Sequence, residues 1–361
     1  MHNAHATAII STAALRHNIR LVRDRVSPAE LMAVVKDDAY GHGLSNVLAV
    51  LLDEGVTRFG ALDLPGALRM REQAPDATIF AWVFDHGDDL SDALREQIDI
   101  GVTDMAVLER VAVAANLPGS TAPARIHLKL DTGLHRAGVL PGDWERFVTR
   151  AAELQRSGRV VISGLWTHLA EESDDDDSRS IREYGEGLAI AEAHGIRGAT
   201  RHIAASAASY AREDARFDMV RVGAFLYGIA PGSGVGPREL GLRPVMTLHA
   251  PVRQIRQVGE RTLAEVGIGG ASGILADAAG SVSVALAGRR CPVVAVEPTF
   301  LLVDVTGADG AVGETVTLFG DGSAGEQTLQ DWADGMGTIG EEIVTRLSAR
   351  TPRIVSGSLT K

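Results

Sequence analysis

Leu31-Met-Ala-Val-Val-Lys-Asp-Asp-Ala-Tyr-Gly-His-Gly43 decides how this chain is read. It opens as an apolar run with two adjacent valines, the pattern of a buried strand. Lys36 stands at the end of that run. Asp37, Asp38, Tyr40, Gly41, His42 and Gly43 follow as a polar, glycine-containing loop, and a helical pattern sets in at Leu44. A lysine at the C-terminal end of a barrel strand sits where barrel enzymes keep their chemistry. Its amine suits a Schiff base with a carbonyl cofactor such as pyridoxal phosphate. A solvated strand-end lysine is the plain alternative.

Outward from this stretch, strand and helix patterns alternate. Residues 5–11 read as a strand, with Ser11 a candidate N-cap for a helix through Leu15, Ile19, Leu21 and Val22. Strands are expected at 58–63, 77–83, 98–102, 124–130, 159–167, 200–203 and 217–221. Helices are expected at 44–52, 65–73, 88–97, 105–115, 141–156 and 179–194. This alternation predicts βα units on a parallel sheet, and the number of units favours a closed (β/α)8 barrel of the TIM type over residues 11–240. The cluster Pro231-Gly-Ser-Gly-Val-Gly-Pro237 reads as a linker. Beyond it, residues 241–361 read as a mostly-β domain, with alternating segments at 245–255 and 281–287, further strands at 300–305 and 315–320, and one helix near 328–349.

The bulk numbers bound the function. The chain has 361 residues and a hydrophobic fraction of 45%, enough for a large core. A net charge of −12 argues against a nucleic-acid or acidic-membrane partner, since either calls for a basic face. Cys291 is the only cysteine, so neither an intramolecular disulfide nor a cysteine-based metal cluster is expected. No secretory leader pattern and no membrane-length apolar run is read, which points to a soluble, cytoplasmic protein. The run Glu171-Glu-Ser-Asp-Asp-Asp-Asp177 is expected to be an exposed loop, because like charges repel and stay solvated. It lacks the ligand spacing of a calcium loop, and no metal site is expected.

Further motifs bear on the chemistry. Lys129-Leu-Asp-Thr-Gly-Leu-His-Arg-Ala-Gly138 follows a strand, so its polar groups emerge at the same mouth as Lys36, where an arginine suits a carboxylate. Gly164-Leu-Trp-Thr-His-Leu-Ala170, Arg201-His-Ile-Ala-Ala-Ser-Ala-Ala208 and Met219-Val-Arg-Val-Gly-Ala-Phe-Leu-Tyr-Gly228 follow in order. Together with VVKDDAYGHG they resemble, in order over about 225 residues, the motifs of the alanine racemase family of barrel-type pyridoxal-phosphate enzymes.

The resemblance implies pyridoxal 5'-phosphate as cofactor, an amino-acid substrate and a homodimer. It implies Lys36 as the cofactor lysine and first base. Arg136 would contact the cofactor ring oxygen and the substrate carboxylate, oriented by a carbamylated Lys129. His168 would stand beside the ring and bridge to Arg221. Arg221 would donate to the pyridine nitrogen, and because arginine stays protonated the ring is a weaker electron sink than one paired with Asp. His202 would line the site. Ser206, Gly223 and Tyr40 would hold the phosphate, and Tyr227 completes the cofactor-binding set.

The resemblance also breaks. The family's second base is a tyrosine early in the β-domain of the partner subunit, yet no tyrosine follows Tyr227. The loop that should carry it, between Val252–Val258 and Thr262–Gly273, reads as deleted. Ala205 replaces an asparagine, Gly270 and Ala349 replace tyrosines, Glu341 replaces a further tyrosine, and the Met-Asp pair expected near Glu297–Phe300 is absent. Three readings remain open. The first is an amino-acid racemase or epimerase with a substitute acid, His168, His202, Glu265 or Glu297, and an altered substrate. The second is a one-base enzyme catalysing decarboxylation, aldol cleavage, elimination or transamination of a larger amino-acid-like substrate. The third is a non-catalytic cofactor-binding homologue.

Overall fold

Strands buried on both faces read as near-continuous apolar runs, and they pair in parallel when helices cover them. The computed structural model describes residues 5–85, 87–116, 122–231 and 234–360. After β1 (Thr7–Ser11) come β2 (Glu30–Val34), β3 (Arg58–Asp63), β4 (Thr78–Val83), β5 (Asp99–Val102), β6 (Ala124–Lys129), β7 (Val160–Trp166), β8 (Thr200–His202) and β9 (Met219–Val222). The last eight form one sheet in the order β8-β7-β6-β5-β4-β3-β2-β9. Asp218 N donates to Arg201 O at 3.1 Å and Arg221 N to Ala204 O at 3.0 Å, which joins the two ends of that sheet. The (β/α)8 barrel is therefore closed. Met32, Phe80, Trp166 and Met219 pack inside it with Trp82, so its interior is a filled core.

These strands belong to one compact unit, Val22–Lys36 with Gly55–Gly223. The second unit takes the described residues up to Leu21, Asp37–Glu54, and the chain from Ala224 onward. Its strands are β10 (Met246–Val258), β11 (Arg261–Val266), β12 (Ser283–Leu286), β13 (Arg289–Val296), β14 (Leu301–Asp304), β15 (Thr315–Phe319) and β16 (Arg353–Ser356). β10, β11, β14, β13, β12 and β15 close a ring in that order. β1 lies against β10 antiparallel and against β16 parallel. No helix among the described residues is long and apolar enough to cross a membrane.

Three local expectations need correction. The acidic run is not a loop throughout: Asp174–Asp177 form the first turn of the helix Asp174–Ala193, five residues earlier than the sequence pattern suggested. Ser173 caps it by accepting from Asp176 N, and four carboxylates at a helix N-terminus complement its dipole. Asp177 is buried and accepts the Glu171 N–H at 3.1 Å. The expected C-terminal helix is two helices, Leu329–Met336 and Gly340–Arg346, because Gly337 adopts φ 67° and ends the first. The helix expected at 88–97 is shorter, Ser91–Arg95.

The stretch after Lys36 is not an irregular loop either. Asp37, Asp38, Ala39 and Tyr40 have φ of 52°, 55°, 55° and 53°, a complete left-handed turn that Gly41 continues at 72°. Left-handed backbone costs about 1–2 kcal/mol per non-glycine residue, so the turn needs support. Gly41 N bonds Asp37 O at 2.8 Å and Gly43 N bonds Asp38 O at 3.0 Å. Asp38 Oδ1 accepts from Leu44 N at 2.8 Å. The guanidinium of Arg353 donates to Gly41 O at 2.8 Å. A Cβ on Gly41 would meet Val344 O at 2.2 Å. Gly41→Ala should therefore lower stability by at least about 2 kcal/mol, read as a reduced Tm by calorimetry.

Candidate active site

Parallel strands all end on the same side, so residues at their C-terminal ends meet at one mouth. Lys36 follows β2 by two residues, Lys129 ends β6, His168 follows β7 by two, His202 ends β8, Arg221 lies on β9 and Gly223 follows it. The sequence expected these groups together, and the barrel brings them to one end.

Arg221 is the hub. It is 5% exposed, and burial pulls its pKa down to about 10, so it keeps its proton at neutral pH. Its Nη1 donates to His202 O at 3.0 Å and lies 3.1 Å from His202 Nδ1. Its Nη2 donates to Thr167 O at 3.0 Å and Ile203 O at 3.1 Å, and lies 3.1 Å from His168 Nδ1. Among the described residues its Nε–H has no partner. A permanent cation donates, so His168 Nδ1 and His202 Nδ1 both accept. Burial, with Arg221 adding to it at His168, holds both imidazoles well below the usual histidine pKa, so they are neutral.

Lys129 is 4% exposed and its Nζ lies 4.6 Å from the centre of the Trp166 ring. Arg221 stands over the same ring at 5.1 Å. Burial first, then the charges of Arg221 and Arg136, lower the Lys129 pKa to about 8. Arg136 itself is exposed. Ser206 opens the short helix Ser206–Ala211, which has no side-chain cap because Ala205 precedes it. Ser206 Oγ accepts from Gly223 N at 3.1 Å, which leaves the hydroxyl proton for another acceptor. Tyr40 and Tyr227 belong to the other unit, where their rings pack at 4.9 Å. Burial, then the Glu341 charge, pushes the Tyr40 phenol up.

The sequence reading missed two residues of the barrel interior. His127 bonds His202 at 2.8 Å and Asp99 at 3.0 Å, both buried. The signal was present: on β6 His127 shares its face with Lys129, two residues on.

In the second unit, Val258 pairs with Arg261, so β10 turns into β11 through Gly259 and Glu260 alone. The tyrosine-bearing loop expected from the resemblance has no counterpart here. Glu265 lies on β11 with its carboxylate 3.8 Å from Arg256. Glu297 begins a tight turn, bonding Phe300 O through its N–H at 2.9 Å.

Comparison with known proteins agrees with this architecture. The N-terminal domain model of alanine racemase matches residues 10–231 and the C-terminal domain model residues 252–355. The chain is 38% identical to the alanine racemase of Streptomyces coelicolor, over 97% of this chain and 95% of that one. It is 38% identical to the alanine racemase of Salinispora arenicola, over 95% and 96%. The crystal structure of alanine racemase from Streptomyces lavendulae superposes with a TM-score of 0.95 at 33% identity, covering 99% of this chain and 98% of that one. That from Streptomyces coelicolor gives 0.94 at 37%, covering 99% of each.

A lysine whose pKa is lowered on folding binds its proton less tightly in the native state. Its penalty is full below pH 8, where both states are protonated, and is relieved as pH rises from about 8 towards the unfolded value of 10.5. In buffer freed of carbon dioxide, where Lys129 stays a free amine, Lys129→Met should therefore raise Tm at pH 7 by about 2–4 °C, with the difference from the parent shrinking by pH 10, measured by thermal unfolding at the two pH values.

Proposed function

From the premise that this chain belongs to the alanine racemase family, we propose that it is a pyridoxal-phosphate-dependent amino-acid racemase in which the group opposite Lys36 is not the family's tyrosine. The observation that carries this is the two-residue turn between β10 and β11, in a chain whose four tyrosines all lie at or before Tyr227.

The barrel residues suit the cofactor. Arg221 offers an uncommitted Nε–H from a guanidinium whose other nitrogens are fully engaged, which matches an unprotonated pyridine nitrogen. Ser206 accepts from the Gly223 amide and so has its hydroxyl proton to offer to a phosphate oxygen. Pyridoxal phosphate, when bound, withdraws electrons from the substrate's α-carbon and so acidifies its proton.

Lys36 holds the cofactor carbonyl and moves the α-proton on one face at its Nζ. Exposed Arg136 binds the substrate carboxylate. Lys129, with a pKa near 8, has enough neutral amine at physiological pH to take up carbon dioxide as a carbamate. That exchange replaces a cation crowded by two arginines with an anion they stabilise. His202 and Tyr227 act behind these groups, His202 by holding Arg221 and Tyr227 by packing on Tyr40. A homodimer belongs to this proposal, since the family's second base comes from a partner subunit.

On the second face the candidates are unequal. His202 has both ring nitrogens engaged, by Arg221 and His127. Among the described residues His168 keeps Nε2 uncommitted, but its imidazole is held neutral and is a poor acid. Glu265 and Glu297 are carboxylates of the β-domain, and either supplies an acid if a partner's β-domain reaches the site. The short turn also favours a second reading, in which Lys36 works alone on a larger amino acid and the product is not the mirror image.

Protein loaded with pyridoxal phosphate in deuterated water, given a panel of L- and D-amino acids, separates these readings. Loss of the α-proton NMR signal with inversion on chiral chromatography is expected. Exchange without inversion, or a changed carbon skeleton, would replace the racemase by the one-base enzyme. Lys36→Ala should abolish all turnover, and surviving turnover would remove Lys36 from the mechanism.

A further inference from the structure

A hydrogen-bonded line runs from the barrel interior to Arg221. Asp99, 1% exposed, receives Arg125 Nε at 2.5 Å and lies 3.0 Å from His127 Nε2. His127 Nδ1 lies 2.8 Å from His202 Nε2, and His202 Nδ1 lies 3.1 Å from Arg221 Nη1. The two ends set the polarity of the whole line. The Asp99 carboxylate, held ionised by His127 and Arg125 against its burial, only accepts. Arg221 only donates. His127 must therefore carry its proton on Nε2, leaving Nδ1 to accept from His202 Nε2–H, which leaves His202 Nδ1 to accept from Arg221. A second proton on His127 would reverse its bond to His202 and set His202 Nδ1–H against Arg221 N–H.

The scaffold is built for this line. A Cβ on Gly164 of β7 would lie 2.2 Å from His127 Nδ1, so that glycine makes room for the ring. Phe80 stacks on His127 with centroids 4.5 Å apart, and Trp166 stacks on His202 at 5.9 Å.

We propose that Asp99 is a positioning residue for Arg221: acting through His127 and His202, it presents a lone pair to the guanidinium and so sets the direction of the free Nε–H. Its worth to the reaction rests on the reading of Arg221 as the partner of the cofactor ring. The line itself does not, because it is present in the protein alone.

The first test uses protein without cofactor. Long-range proton–nitrogen NMR of 15N-histidine-labelled protein at pH 7 should find His127 and His202 both protonated on Nε2 with Nδ1 bare. An Nδ1–H or a doubly protonated ring at either position would overturn the proposal. The second test titrates pyridoxal phosphate, following its visible absorption band. Asp99→Leu should weaken binding about tenfold, the cost of one mismatched buried hydrogen bond, and shift the band. Asp99→Asn keeps an acceptor oxygen and should stay within about threefold of the parent. Gly164→Ala displaces His127 without touching a charge and should reproduce the Asp99→Leu shift, which keeps the test open if Asp99→Leu fails to fold. Wild-type affinity and band in a folded Asp99→Leu or Gly164→Ala protein would overturn the proposal. Absence of cofactor binding by the parent would instead overturn the functional reading, leaving the NMR result to decide the line.

Discussion

A guanidinium buried in the mouth of a barrel must have its N–H groups met by acceptors, because an unmet charge there is far more costly than one in water. Arg221 meets this requirement with carbonyls at the ends of β7 and β8, those of Thr167, His202 and Ile203, and with two imidazoles. The same contacts bind β7, β8 and β9 together, where the sheet closes. One side chain thus ties the ends of these strands together and carries the candidate cofactor partner. The neutral state of His168 and His202 follows from their burial, and Arg221 adds to it by disfavouring a second cation.

A second constraint sits at Lys36. The chain leaves β2 and enters four consecutive left-handed residues. Backbone in that region persists only when its surroundings over-determine it, and such strain gathers at functional sites. Here internal hydrogen bonds, the Arg353 guanidinium and the close approach of Gly41 to Val344 supply the surroundings, all within the unit that also holds Tyr40.

The two units differ in what they hold of the expected residues. The barrel unit has Lys36, both arginines, the buried Lys129 and the bonded Ser206–Gly223 pair. The β-domain is pared down: a two-residue turn joins β10 to β11, and Ala349 is a small exposed residue. Deleting residues from a hairpin tip costs a folded domain little, because the tip has few contacts and the ladder beneath it sets the register. A barrel strand cannot be altered so freely, since its interior side chains pack against one another.

Much of this was legible in the chain itself. Apolar runs separated by helical patterns determined the barrel, because parallel strands buried on both faces leave that trace. The period-two pattern determined the β-domain, and the strand-end positions of Lys36, Lys129, His168, His202 and Arg221 followed from the order of elements. The absence of any tyrosine after Tyr227 is a fact of sequence alone. Tertiary structure decided what pairwise distance decides. Asp99 and His127 are separated from His202 by 103 and 75 positions, and only the register of neighbouring strands brings them into line. The left-handed turn was hidden because Asp37-Asp-Ala-Tyr40 carries no glycine to announce it; contacts from residues some three hundred positions later hold it. The acidic run read as a solvated loop because like charges repel, whereas a capped helix N-terminus offers four of them a favourable field.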